Sequence, residues 1–390
     1  MFDINKARLM FWPKRRKNII NNCNRSIKWL KNNILTGQGI VISSKKRICY
    51  PEVTGYTIPT LYQWGEKALS RDLAAWLIPQ QNSDGSFSAP DGVPYTFDTG
   101  QVIRGFLAVL NDMPQLEIHL RKACDWILTQ VKPNGKLATP STKMWGRSAD
   151  DRIHLYVLPP LIEAGKTLNT SKYIVAAQNI LGYYKQNKEL VKFNTLSHFI
   201  AYIIEALCDL DEIPLAKTAM EQIVNSQKKD GRIPAYPNVR WICVPGVAQF
   251  ATILYKLNMN THADKAVNYL CGVQNKSGGF YGSHGLGARY FSMQEIPWAV
   301  KFFLDAYYWK IKSAFNDEVN FSLETIDEND GRVKEIISFF SGLNGKKIVD
   351  VGCGKGRFLK ILREKTSSCE FYGVDISEEI LKFCPSYVKT

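Results

Sequence analysis

Apolar and polar residues come in blocks along the first 310 or so positions. Amphipathic stretches ending in polar residues (DLAAWLIPQQN, CDWILTQV, MEQIVNSQ, AVNYLCGVQN) place apolar side chains at i, i+3, i+4 and i+7. That spacing predicts helices with one buried face. Short glycine turns follow: TGQG at 36–39, NSDGSF at 82–87, PNGKL at 133–137, KKDGRI at 228–233 and KSGGF at 276–280. After each turn and a variable loop comes a more apolar stretch: TGYTIPTLYQWG, FDTGQVIRGFLAVL, DDRIHLYVLPPLIEAG, FNTLSHFIAYIIEAL, RWICVPGVAQFATILYKL and SMQEIPWAVKFFLDAYY. Being apolar nearly all round, these predict buried helices. Glycines 37, 85, 135, 231 and 279 lie 48, 50, 96 and 48 residues apart, and the gap of 96 is two periods. A degenerate turn is therefore expected near residue 183, in GYYKQNKEL. Six units of outer helix, turn, loop and inner helix result, and such a period marks a repeat architecture.

This pattern resembles the six-hairpin α/α toroid, over roughly residues 25–310. The fold serves six-hairpin glycosidases, polysaccharide lyases, sugar epimerases, terpenoid cyclases and protein prenyltransferases, and the whole pattern looks like toroid proteins of bacterial polysaccharide biosynthesis. The resemblance implies a mainly α (α/α)6 toroid whose inner helices point the same way, so that their N-terminal ends meet at one mouth. Residues placed there are Glu52, Thr54, Asp98, Gln101, Asp150, Asp151, His154, Thr195, His198, Arg240, Trp241, Gln294, Glu295 and Trp298. Carboxylates, imidazoles, an arginine and indoles suit a sugar, which offers hydroxyls to the polar groups and C–H faces to the rings. Asp150, Asp151 and His154 are the candidate catalytic residues; Asp98, Gln101, His198, Arg240, Trp241, His284, Glu295 and Trp298 are the candidate substrate-binding ones. Plainer roles compete. Asp98 beside Thr99 suits a helix cap, Asp150 and Asp151 suit a helix dipole, and His198 suits a satisfied core position. The nearest match to a cyclase acid motif, Asp209-Leu210-Asp211-Glu212, falls at the far end of an inner helix. The zinc set of a prenyltransferase is missing around Cys243, which has no acid two residues before it.

Near the C-terminus stands VDVGCGKGR at 349–357. A strand over 347–351, a helix over 357–365 and a second strand in CEFYGVDIS at 369–377 are expected around it. A dinucleotide fingerprint wants glycine at 357, where Arg357 stands. The spacing instead looks like the first motif of class I S-adenosylmethionine-dependent methyltransferases. That resemblance, over roughly 60 residues, implies a partial α/β Rossmann-like segment at 332–390 that binds S-adenosyl-L-methionine. The matching residues are Asp350, Gly352, Cys353, Gly354, Gly356, Asp375 and Ile376. Glycines let the ligand approach bare backbone, the following helix presents N–H groups to its carboxylate, and Asp375, 19 residues after Gly356, is placed for the ribose hydroxyls. Two strands are expected where the family has seven, so this chain alone is expected to bind the cofactor weakly or not at all. Residues 313–331 are read as a linker.

The 390 residues carry a net charge of +14, and 45% of them are apolar, ordinary for a globular chain with a sizeable core. Basic runs Lys14-Arg15-Arg16-Lys17 and Lys45-Lys46-Arg47 hold part of the excess. They suit a weak association of the segment 1–24 with an anionic membrane surface; no nucleic-acid partner is expected. Nine cysteines without a metal or disulfide spacing indicate a reducing cytoplasm. Three functions remain open: an enzyme of surface-glycan modification joined to a methyltransferase, a non-catalytic toroid scaffold, and a toroid that handles a lipid or isoprenoid chain.

Overall fold

The computed structural model describes residues 14–138, 150–317, 325–327, 329, 331–339, 345–366 and 368–390. The start of the basic N-terminal segment and most of the expected linker lie outside these residues. The chain divides into two units, Met1–Tyr307 and Tyr308–Thr390.

In the first unit, outer and inner helices alternate. The outer ones are α1 (Lys14–Asn32), α3 (Lys67–Leu77), α5 (Glu117–Thr129), α7 (Ser171–Lys185), α9 (Ile213–Ser226) and α11 (Asn260–Val273). The inner ones are α2 (Pro51–Gln63), α4 (Thr96–Val109), α6 (Leu158–Thr167) with a 3-10 turn at Asp151–Val157 before it, α8 (Ser197–Asp209), α10 (Val244–Lys256) and α12 (Pro297–Asp317). Burial follows the sequence pattern. Every residue of α10 from Val244 to Tyr255 is buried, whereas α3 buries only Ser70, Leu73, Ala74 and Leu77. Close approach of inner helices is made possible by glycine: a Cβ on Gly55 of α2 would meet Gln101 O of α4 at 2.7 Å, and one on Gly105 of α4 would meet Gly55 O at 2.5 Å.

The turns repeat in detail. Asn82 N donates to Ser86 O, Lys132 N to Lys136 O, Lys228 N to Arg232 O and Asn275 N to Gly279 O, at 2.8–3.0 Å. The turn glycine of the last repeat is Gly278 rather than Gly279, with φ +98°. In the fourth repeat α7 runs through residue 183, and the chain turns later without glycine, where Leu190 N donates to Asn187 O.

Contacts between the two ends of the unit close the ring. Gln274 Nε2 donates to Asn22 O and Ser26 Oγ, Arg25 Nη2 to Gln274 Oε1, and Ser26 Oγ to Gly278 O. Trp29 Nε1 donates to Glu295 Oε2 at 2.6 Å, and Thr60 Oγ1 to Asp305 Oδ1 at 2.6 Å. The first hairpin thus packs on the sixth, and the fold is a closed α/α toroid.

The second unit holds α13 (Gly331–Phe339), β3 (Lys347–Val351), α14 (Arg357–Lys365), β4 (Glu370–Val374), α15 (Glu378–Leu381) and β5 (Val388–Lys389). The sheet order is β3-β4-β5, all parallel, with Ile348 opposite Phe371 and Phe371 opposite Val388. The sequence led us to expect two strands; a short third one joins because Val388 packs into the same small core as Ile348, Leu359, Leu362 and Phe371. The alternate residues Val349, Val351 and Val374 are exposed. Helix α12 runs to Asp317, into the stretch read as linker.

Candidate functional site

A cavity of about 460 Å³ opens at the N-terminal ends of the inner helices. Its polar side chains are Glu52 on α2, Asp98 on α4, His154 on the 3-10 turn and His198 on α8, with Lys46 and Arg289 from loops. Its walls are aromatic: Tyr50, Tyr56, Tyr95, Phe97, Phe199, Tyr202, Tyr236, Tyr290, Phe291 and Trp298. Trp298 Nε1 donates to Tyr290 OH at 3.1 Å, and Phe291 meets the Trp298 ring edge-on at 5.0 Å. The loop carrying Tyr290 and Phe291 is strained: Phe291 and Met293 hold φ of +45° and +58°, a region that non-glycine residues avoid.

Asp98 is 2% exposed and does not cap its helix. Its Oδ2 accepts from Tyr50 OH at 2.7 Å. Burial dominates the Tyr50 bond and lifts the carboxyl to about 8, so it holds its proton at neutral pH. Glu52, 4% exposed, is raised well above the usual carboxylate range by burial and then by Asp98. None of the described hydrogen bonds and ion pairs uses its carboxyl. The two imidazoles differ. His154 has Nε2 at 3.0 Å from Thr96 Oγ1 and Nδ1 at 3.4 Å from Tyr184 OH, and burial holds it down at about 4. His198 is 1% exposed, its Nδ1 has no hydrogen-bond partner among the described residues, and burial holds it down at about 3.

These values give a testable pH dependence. Between about pH 4 and 8 the unfolded chain has lost the Asp98 proton that the folded chain keeps, so stability falls as pH rises. The histidines act oppositely. Unfolded imidazoles take up protons below about 6.5, whereas the folded rings stay neutral down to about 4 and about 3, so their contribution grows up to that pH. Glu52, raised likewise, acts in the same direction as Asp98, so above about pH 6.5, where the histidines no longer offset the acids, the toroid should lose at least on the order of 1 kcal/mol per pH unit towards pH 8. Thermal melts across that range should show the loss, and Asp98→Asn should reduce it. An unchanged slope in that variant would mean that Asp98 is ionised in the fold.

Other residues expected at the mouth lie elsewhere. Asp150 accepts from Arg152 N at 3.1 Å as a cap and pairs with the Arg152 guanidinium, which also donates to Asn194 Oδ1. Asp151 forms an ion pair with Lys136. Neither acid lines the cavity, and both are taken up by cations of their own loop and turn. Gln101 is buried between α2 and α4, its Nε2 donating to Phe97 O. Glu295 is taken up in ring closure, accepting from Trp29, Asn275 and Ser277. His284 pairs with Ile242 in a two-residue ladder between β1 (Ile242–Cys243) and β2 (Ser283–His284). Arg240 and Trp241 line a groove of about 770 Å³ that shares Leu196, Tyr236, Arg289 and Tyr290 with the cavity. Apart from Trp298, the aromatic residues of the wall were missed, although Tyr56 and Tyr202 stand four residues after Glu52 and His198, one turn further into the ring.

In the second unit the glycine loop has the shape of a ligand cradle. Gly352, Gly354 and Gly356 have φ of +80°, +54° and +71°. A Cβ on Gly352 would meet nothing within 4 Å, and one on Gly354 only Ile380 Cδ1 at 3.7 Å. Asp375 Oδ2 accepts from Gly354 N at 3.0 Å and Oδ1 from Ser377 N at 2.9 Å. Each oxygen keeps a lone pair for a further donor. Asp350, half-buried, is raised by burial and by Asp375. Ile376 is half-buried beside Asp375. Cys353 contributes backbone only, because its thiol is buried in the small core and pushed up by burial. The space at the glycines and the spare acceptors of Asp375 fit the cofactor that the sequence implies.

Residues 343–387 match the family described as a methyltransferase domain. By sequence, no curated protein matches the chain. Several solved toroids match in structure. An unsaturated glucuronyl hydrolase specific for heparin has a TM-score of 0.58 at 12% identity, covering 75% of this chain and 96% of that one. A D-mannose isomerase has 0.59 at 11%, covering 77% and 100%. A type II terpene cyclase from Scytonema has 0.53 at 14%, covering 74% and 97%. Three chemistries on one frame mean that the likeness carries the fold and not the reaction. The chain joins an α/α toroid, the fold it shares with these solved structures, to a segment that matches a methyltransferase-domain family over residues 343–387.

Proposed function

We propose that the toroid binds and acts on a saccharide unit of a surface glycan, and that the second unit contributes S-adenosyl-L-methionine-dependent methyl transfer to the same glycan. One observation carries the reading. Glu52 and His198 are buried side chains facing an aromatic-walled cavity; no described hydrogen bond or ion pair uses the Glu52 carboxyl, and His198 Nδ1 has no partner among the described residues. Sugar hydroxyls supply donors and acceptors for both, and the rings beside them suit sugar C–H faces. Asp98, its proton favoured by burial and its Oδ2 held by Tyr50, would serve as a proton donor, and His198, neutral, would accept a hydrogen bond from a sugar hydroxyl or donate one to it. When bound, the cofactor supplies an electrophilic methyl group. Gly352 and Gly354 would let it lie on bare backbone, Gly356, packed against Pro385 and Cys384, would hold the turn, Asp375 would take its ribose, and the N-terminus of α14 its carboxylate. Among the described residues every cysteine is free, which supports a cytoplasmic site of action, and no helix is long and apolar enough to cross a membrane.

Calorimetric titration of the full chain with neutral and acidic oligosaccharides tests the reading. Binding should weaken by about tenfold in Glu52→Gln and in His198→Phe, the effect of one lost buried hydrogen bond. The aromatic walls and the proton on Asp98 also favour a second reading, an isoprenoid chain. Binding of farnesyl phosphate with no saccharide binding would replace the first reading by the second.

A further inference from the structure

The groove beside the cavity differs from it in charge. It is lined by Leu196, Tyr236, Val239, Arg240, Trp241, Leu286, Gly287, Arg289 and Tyr290, with no carboxylate. Both arginines are exposed, and neither takes part in the ion pairs or hydrogen bonds recorded for the described residues. Unpaired arginines are ordinary on a surface; these two share one concave wall with aromatic side chains. Trp241 meets Tyr236 edge-on at 5.8 Å. Leu286, 98% exposed, lies on the loop opposite, where Gly285 comes so close that a Cβ would sit 3.1 Å from Trp241 Cα. Leu196, Tyr236, Arg289 and Tyr290 border both the groove and the cavity, so a ligand held in the cavity has the groove directly beside it.

We infer that this groove is an oxyanion subsite, and that the substrate carries a phosphate or carboxylate group next to the saccharide unit held in the cavity. This rests on the saccharide reading for the inner half alone. Arg240 and Arg289 present planar forks that match either oxyanion in paired hydrogen bonds. The cavity suits the hydroxyl-bearing part, because its lining holds Glu52, Asp98, His154 and His198, whereas the groove lining holds arginines and no carboxylate.

The test is binding by the full chain of four probes: cellotriose as neutral saccharide, trigalacturonate as carboxylate, glucose 1-phosphate as phosphate, and inorganic pyrophosphate as an anion without sugar. The wild type should prefer the anionic saccharides to cellotriose by roughly tenfold, the scale of hydrogen bonds to a charged group, with the preference shrinking as salt is added. In R240Q/R289Q the preference should vanish, and in R240K/R289K part of it should return. Loss confined to glucose 1-phosphate and pyrophosphate makes the group a phosphate; loss confined to trigalacturonate makes it a carboxylate. Equal affinity of the wild type for charged and neutral probes, or an undiminished preference in R240Q/R289Q, overturns the proposal. Pyrophosphate separates the two readings: if it binds and depends on the arginines while no saccharide binds, the groove stands and the cavity assignment falls.

Discussion

Gly231→Ala should lower the melting temperature of the toroid by roughly 10 °C or more. Gly231 has φ +91°, and a Cβ there would lie 1.9 Å from Lys265 O and 2.4 Å from Lys265 C. The obstacle is backbone of α11, so relief requires moving the outer helix of the next repeat. Backbone strain and overpacking together amount to roughly 3–5 kcal/mol, and in a domain of this size each kcal/mol is about 2–4 °C. Gln227 binds the same junction, with Nε2 donating to His262 O at 3.0 Å and Oε1 lying 2.7 Å from His262 Nδ1. Gln81 and His119 repeat that arrangement in the second hairpin. Gly272→Ala is the control. Gly272 lies in α11 with nothing within 4 Å of a Cβ, and alanine there should gain about 0.5–1 kcal/mol. Circular-dichroism melts of the two variants should move in opposite directions. A Gly231→Ala protein as stable as the wild type would mean that this turn does not pack on α11.

The turn glycines made the architecture legible because each meets a backbone requirement: positive φ, and contact with the neighbouring outer helix in repeats two, three, five and six. A requirement that recurs at a fixed interval is visible without any structure. The site was less legible, for a related reason. Position at the start of an inner helix does bring Glu52, Asp98, His154, His198 and Trp298 to one cavity. It does not say which of them keep spare hydrogen-bonding capacity. Asp150 and Asp151 drew notice as adjacent acids, but Arg152 and Lys136 claim them. Glu295 bonds to Trp29, distant in sequence, and no local pattern shows that pairing. Arg289 and Tyr290 come from an irregular loop with no period. In the second unit strand, loop, helix and strand appear as read, because the glycine loop and its Asp375 anchor are local; the short strand β5 depends on one apolar residue, Val388, and carried too little pattern to be seen.

Two buried glutamates show where the ring holds itself together and where it is left open for a ligand. Glu205 on α8, deeper in the ring than His198, accepts from Gln249 Nε2 at 2.8 Å and from Lys256 Nζ at 3.2 Å. Lys256 also reaches Asp209 at 2.6 Å. Burial pushes the Glu205 carboxyl up, but Lys256 and Lys301, with Gln249 and Arg104, outweigh it and hold it at about 2. Glu205→Ala leaves Lys256 buried with half its counter-charge and should destabilise the toroid by roughly 3–5 kcal/mol, the scale of a broken buried pair. Replacing both partners, as in E205L/K256M, should recover much of that loss, because neither charge is then stranded. The acidic Asp209-Leu210-Asp211-Glu212 stretch belongs to this structural end: Asp209 pairs with Lys256 and Glu212 with Lys185. Glu52 is as well buried but has no cation beside it, and its carboxyl is pushed up instead of down. Glu52→Gln should therefore leave stability unchanged or raise it by up to about 1 kcal/mol, since no pair is broken and no charge is left in the interior. Denaturant unfolding of the two variants, followed in parallel, decides the point: a large loss at Glu205 with none at Glu52 marks the first as structural and the second as held in readiness for a ligand. Equal losses would mean that Glu52 also holds the ring together, and the cavity would lose its strongest claim to be a site.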